Sequence, residues 1–243
     1  MLVEIIDSDK GYSYVVSIKE KFKDIFTDKI PFRINFNVWK EEVYFETPIN
    51  IINQEDKIYK VKRGYLYYWP PGKALCLFYG ISDIYTPGIL VGELIGPTNY
   101  LAIVENGDQG IVQEHVIDND LKELVHELSR LGYIVGTPLY DNSRTLTALK
   151  RINNLRLAFT LFIEDYGLHL ETESFYKHDH SYQSMAIAYK IRTMLSNSKY
   201  IRYDINELGY TALTAIMENT YELLEVLKEL EIWFPKIKQA LFK

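Results

Sequence analysis

Arg33, Glu42, Trp69, Phe78 and Tyr79 are the side chains of this sequence best suited to hold a ligand. An arginine fork grips a carboxylate or the polar groups of an extended peptide, and aromatic faces supply an apolar wall. Glu42 could fix Arg33 or accept a hydrogen bond from the ligand. Glu41 cannot join Glu42 as an acid and base pair, because neighbours on a strand point to opposite faces. The competing explanation is a salt-bridged sheet wall, since aromatics make up 14% of the chain and most must be placed structurally.

Other chemistry has weaker support. No phosphate-cradling glycine loop, CxxC pair, HExxH or GxSxG occurs. His178-Asp179-His180, with His169, Glu171 and Glu173 upstream, is the best metal candidate, but an ordinary exposed loop that caps the helix after Ser181 is the favoured reading, and no metal or other cofactor is expected. The single cysteine, Cys76, excludes an intramolecular disulfide and lies in an apolar run, as a buried structural thiol would.

The elements that must position these residues read as short strands in the first half. Phe32, Ile34, Phe36 and Val38 alternate with Arg33, Asn35 and Asn37, so one face packs and the other is polar or lines a site. Two aromatic-rich runs within Gly64 to Gly80 are joined by Pro70-Pro71-Gly72, a rigid corner where ladder pairing must lapse. One helix is predicted from Val15, Ile18, Phe22, Ile25 and Phe26, after a cap at Ser13. Leu101–Val104 and Ile111–Val116 are read as strands around an Asn106-Gly107 turn.

After Ile117 the period becomes helical. Leu121, Leu124, Val125, Leu128 and Leu131 form one stripe, capped by Asp118, Asn119 or Asp120 and ended by Gly132. Further helices are predicted over Ser143–Asn153 and Ser181–Leu195. Leu155–Phe175 fits either a helix to about Asp165 or a hairpin turning at Tyr166-Gly167, with helix preferred. A last seam runs through Leu213, Ile216, Leu223, Leu227, Leu230, Phe234 and Ile237, with a kink expected near Pro235. That seam serves an intramolecular bundle or assembles a homo-oligomer through Leu213, Ile216, Leu223, Leu227 and Leu230.

At 243 residues the chain suits two domains, divided here as 1–117 and 118–243. Its net charge of −6 argues against a nucleic-acid partner, and acidic residues outnumber basic ones in both parts. The cluster Lys57, Lys60, Lys62 and Arg63 is read as a solvated edge strand. The absence of a long apolar run and of a basic leader predicts a cytoplasmic protein with no membrane partner.

The N-terminal half, from about Leu2 to Ile117, resembles the small cyclophilin-like domains of uncharacterised bacterial and archaeal proteins. The resemblance is carried by Trp39 with Glu42-Val43-Tyr44-Phe45, by Gly64 to Trp69 with Pro70-Pro71-Gly72, by Ala74 to Gly80, and by Gly92. Lys40 stands where the family usually has glycine, and Ile81-Ser82-Asp83 where a Thr-Pro pair is common. The resemblance implies a closed, mostly antiparallel eight-stranded barrel capped by a helix. The Phe-His-Arg motif of true cyclophilins is missing, with Phe32-Arg33 offering only the arginine. The expectation is therefore an α+β protein: a closed antiparallel cyclophilin-like β-barrel that binds a small molecule or peptide, followed by a mainly α-helical domain. A prolyl isomerase and a scaffold acting through the C-terminal helices are the alternatives.

Overall fold

The computed structural model describes residues 1–52 and 57–241. Ten strands of the first half form one antiparallel sheet: β1 (Leu2–Asp7), β2 (Tyr12–Ile18), β3 (Phe32–Asn35), β4 (Asn37–Trp39), β5 (Glu42–Glu46), β6 (Lys57–Ile58), β7 (Tyr65–Trp69), β8 (Ala74–Phe78), β9 (Gly88–Ile95) and β10 (Gln109–Glu114). Their order is β3-β10-β1-β2-β9-β7-β8-β5-β4, with β6 also paired to β9. The alternation expected at Phe32 to Val38 is there: Ile34 and Phe36 are buried, while Arg33 and Asn35 are exposed. Val3, Val16, Phe36, Phe45, Leu66, Leu77, Val91 and Val112 meet in one core that the sheet wraps.

The expected barrel is corrected. Among the described residues no ladder joins β3, the first strand in that order, to β4, the last, so the sheet has two ends and is not closed. The chain breaks its pairing at Phe36, whose N–H donates to the Asp108 carbonyl and whose carbonyl accepts from Gly107. β3 continues the β10 side and β4 the β5 side. The helix predicted from Val15 is also corrected: residues 12–18 are β2, followed by a 3-10 turn over Glu20–Phe22 and the short helix α1 (Lys23–Thr27). Val15 packs outward while Val16 joins the main core, so both faces of β2 are apolar and the spacing mimics a helix. Residues 99–103, read partly as strand, form a 3-10 helix.

The second half is not mainly helical. Helix α2 (Lys122–Arg130) and helix α3 (Tyr182–Met194) lie where expected, and α4 (Leu223–Leu241) closes the chain. Asp118 accepts from the Asp120 N–H ahead of α2, and Ser181 Oγ accepts from the Ser184 N–H at the start of α3. Between them runs a six-stranded antiparallel sheet. It is built from β11 (Ile134–Gly136), β14 (Leu146–Ile152), β15 (Leu155–Glu164), β16 (Gly167–Thr172), β17 (Arg202–Ile205) and β18 (Thr211–Met217), in the order β11-β14-β15-β16-β18-β17. A two-stranded ribbon, β12 (Leu139–Tyr140) with β13 (Ser143–Arg144), precedes β14.

Leu155 to Glu164 is thus the hairpin alternative, turning before Gly167. One face of this sheet carries Ala148, Phe159, Leu161 and Leu213 against Leu223, Val226, Leu227, Leu230, Phe234 and Ile237 of α4. The other face puts Leu149 and Ala158 against Val15 and Ile95 of the first sheet. The seam predicted from Leu213 is therefore two elements: Leu213 and Ile216 belong to β18, and Leu223, Leu227 and Leu230 are buried in this chain's own core. Helix α4 continues through Pro235, which is itself buried between Leu230 and Ile237. Among the described residues no helix is long and apolar enough to cross a membrane.

Candidate functional site

Trp39 at the end of β4, Glu42 and Tyr44 on β5, Trp69 at the end of β7, and Ile84 and Tyr85 from the following loop line a cavity of about 210 Å³. Its geometry follows from the register. Glu42 pairs with Trp39 on one side and Phe78 on the other, and Trp69 pairs with Ala74 across the Pro70-Pro71-Gly72 corner. Gly72 is required there because a Cβ would come within 2.4 Å of the Trp69 ring. The indole Nε1 of Trp69 donates to Thr86 Oγ1 at 2.7 Å, which fixes the ring plane. Trp39 and Tyr85 stack with centroids 4.8 Å apart, and the Lys40 ammonium sits 4.1 Å from the Trp39 centroid.

Glu42 is only 6% exposed. Burial raises its carboxyl above the ordinary value, and a hydrogen bond with Cys76 offsets this in part. Phe78 is fully buried beneath, edge-on to Tyr67 at 5.8 Å and clustered with Tyr44, Trp69 and Ile84. A protonated or ionised Glu42 can exchange a hydrogen bond with a guest held between the indoles. A cavity this small fits one side chain or a fragment-sized molecule, being below the roughly 300 to 1,000 Å³ of drug-sized sites.

The structure thus brings Glu42 and Trp69 together over Phe78. Arg33 does not line the cavity; it is exposed on β3, opposite Ile111. Tyr79 packs toward the main core, and its hydroxyl donates to the Lys40 carbonyl at 3.1 Å. Among the described residues no group of three or more His, Cys, Asp or Glu is arranged to hold a metal. Glu171 instead accepts from Tyr100 and Asn206, and Glu173 takes the charge of two arginines.

Sequence reasoning missed two polar clusters between the sheets. In the first, Glu4 accepts from Ser13 Oγ at 2.6 Å and from Arg144 at 2.5 Å, with His115 Nδ1 at 3.4 Å. The Thr137 N–H donates to His115 Nε2, so the neutral ring carries its proton on Nδ1, toward Glu4. In the second, Arg156 donates to Glu173 and to the carbonyls of Leu94 and Gly96, while Arg63 bonds Thr98, Ser174 and Glu173. Arg63, half-buried, is the one residue of the basic cluster whose place between the sheets the charge pattern concealed.

Residues 4–113 match the family model described as Cyclophilin-like. Solved structures that resemble the chain include the following two. A hypothetical protein from Archaeoglobus fulgidus, a solution structure, is 23% identical, with 47% of this chain and 94% of that one covered and a TM-score of 0.41. McbB, solved in complex with tryptophan, is 15% identical, with 53% of this chain and 54% of that one covered and a TM-score of 0.39. No curated protein matches the chain.

Proposed function

We propose that the cyclophilin-like part of this chain is a binding module that takes a small apolar group, a peptide side chain or a fragment-sized molecule, between Trp39, Trp69 and Tyr85. The observation that carries this reading is the cavity walled by two tryptophans with a buried carboxyl, Glu42, at its side. Aromatic walls supply contact area at low entropic cost, and one polar group fixes orientation. Glu42 and Trp69 act directly in this reading, Phe78 packs with the lining residues Tyr44, Trp69 and Ile84 without lining the cavity itself, and Arg33 and Tyr79 stand outside it.

Native mass spectrometry of the freshly purified chain, beside its Trp69→Leu variant, tests the reading. A retained molecule or peptide that is lost on substitution supports it. Adducts that are identical in both proteins, or absent from both across a peptide library, reject it.

A further inference from the structure

A second cavity, of about 460 Å³, opens where the two sheets meet α4. We propose that it binds a small organic anion, a carboxylate or phosphate carried on an apolar body. Among the described residues, three cations line it, Arg63, Arg156 and Lys238, together with one carboxylate, Glu173. They come from four separate parts of the chain: the loop before β7, the start of β15, the segment after β16, and α4. A chain of net charge −6 has gathered like charges here through its tertiary fold.

Glu173 is already engaged. Its Oε1 accepts from the Thr98 N–H at 3.1 Å, the Thr98 hydroxyl at 2.5 Å and Arg63 Nη2 at 2.7 Å, and its Oε2 accepts from Arg156. The guanidinium of Arg63 is held from behind: Nε donates to Thr98 Oγ1 at 2.5 Å and Nη2 to Ser174 Oγ at 2.9 Å. Among the described residues Nη1 of Arg63 has no hydrogen-bond partner. Lys238 Nζ lies 4.9 Å from the Phe175 centroid and 5.5 Å from that of Phe234, a setting that holds a cation in place. Burial and the charges of Arg63 and Arg156 push its amine down to about 8, and a bound anion would relieve that repulsion.

Leu155 and Phe234 give the same cavity apolar wall, which an inorganic ion would leave in contact with water. The volume lies within the range of small-molecule sites and is too small for a polymer. Positioned guanidinium and ammonium groups beside apolar wall therefore select an amphiphilic anion over a bare one.

Calorimetric titration of the full chain with phenyl phosphate, inorganic phosphate and benzyl alcohol tests the site. Phenyl phosphate is expected to bind at about millimolar concentration or better, inorganic phosphate about tenfold more weakly, and benzyl alcohol not at all. Lys238→Gln should weaken phenyl phosphate about tenfold, and Lys238→Arg should restore it. In the unsubstituted protein, phenyl phosphate should also slow acetylation of Lys238, followed by peptide mass spectrometry, which removes dependence on the variant's folding. Equal binding of benzyl alcohol, no heat with phenyl phosphate at about 10 mM, or an unprotected Lys238 would overturn the proposal.

Discussion

Glu4 and Arg144 stand 140 positions apart in the chain and meet at 2.5 Å between β1 and β13. Arg144 also donates to the Thr137 carbonyl, and Leu139 N–H donates to Ser13 Oγ, so the ribbon β12-β13 is tied to the first sheet through one buried carboxylate. Glu4 is 1% exposed. Burial alone would raise its carboxyl, but hydrogen bonds from His115, Ser13 and Arg144 together hold it below the ordinary carboxylate value.

Arg144→Leu should therefore destabilise the protein at neutral pH by about 2 to 3 kcal/mol, less than a fully buried pair because Arg144 is partly solvated. A depressed folded-state carboxyl stabilises above its unfolded value, and that stability is lost as pH falls through the folded value. The acid limb of a urea-midpoint profile should accordingly be steeper in the parent than in Glu4→Gln. Superimposable acid limbs would show that Glu4 has no such role.

Arg156→Met is expected to cost more. Burial pushes the Arg156 guanidinium down to about 10 despite the nearby Glu93, and its removal strips hydrogen bonds from the Leu94 and Gly96 carbonyls as well as from Glu173. Breaking a buried pair on one side costs about 3 to 5 kcal/mol. Arg156→Lys should recover little, because an ammonium cannot serve Glu173 and two carbonyls with a planar fork. Urea unfolding of the three proteins measures this, and a lysine variant as stable as the parent would contradict it.

The contrast between the halves shows what the residues could and could not reveal. Strand β3 was legible because Phe32 to Asn35 is packed on one face only, leaving a clean alternation. Strand β15 was not: Leu157 to Leu161 is buried on both faces, with Phe159 facing α4 and Ala158 facing the first sheet. Sequence period then vanishes, and leucines three and four apart imitate a helix. The Trp39 to Tyr85 cavity was legible in part, since Glu42 and Trp69 sit on adjacent runs joined by the proline corner. Arg63, Arg156, Glu173 and Lys238 lie too far apart in the chain for any local pattern to join them.

Cys76 should be inert in the folded protein. Burial first, then the charge of Glu42, pushes its thiol well above the ordinary range, so thiolate is scarce at neutral pH. Ellman's reagent at about pH 8 should leave the native chain unmodified and react with one thiol after unfolding. Prompt reaction of the native protein would show that the floor beneath Glu42 opens readily. Glu42 has the opposite sign to Glu4: its raised folded value favours the protonated form, so its contribution is present at low pH and lost as pH rises. Glu42→Gln should therefore melt higher than the parent at pH 7.

Lys238 supplies a basic-limb counterpart. Its amine is pushed from 10.5 down to about 8, by burial first and then by Arg63 and Arg156. Between those values the unfolded chain holds a proton that the folded chain has lost, so this group makes stability rise with pH across that window. Below the folded value both states are protonated and the slope from this group disappears. Lys238→Gln should remove the rise, read as the difference between parent and variant urea midpoints at pH values on either side of 8. A difference that stays constant across the window would place the Lys238 amine at its ordinary value and leave the charge cluster at α4 without its repulsion.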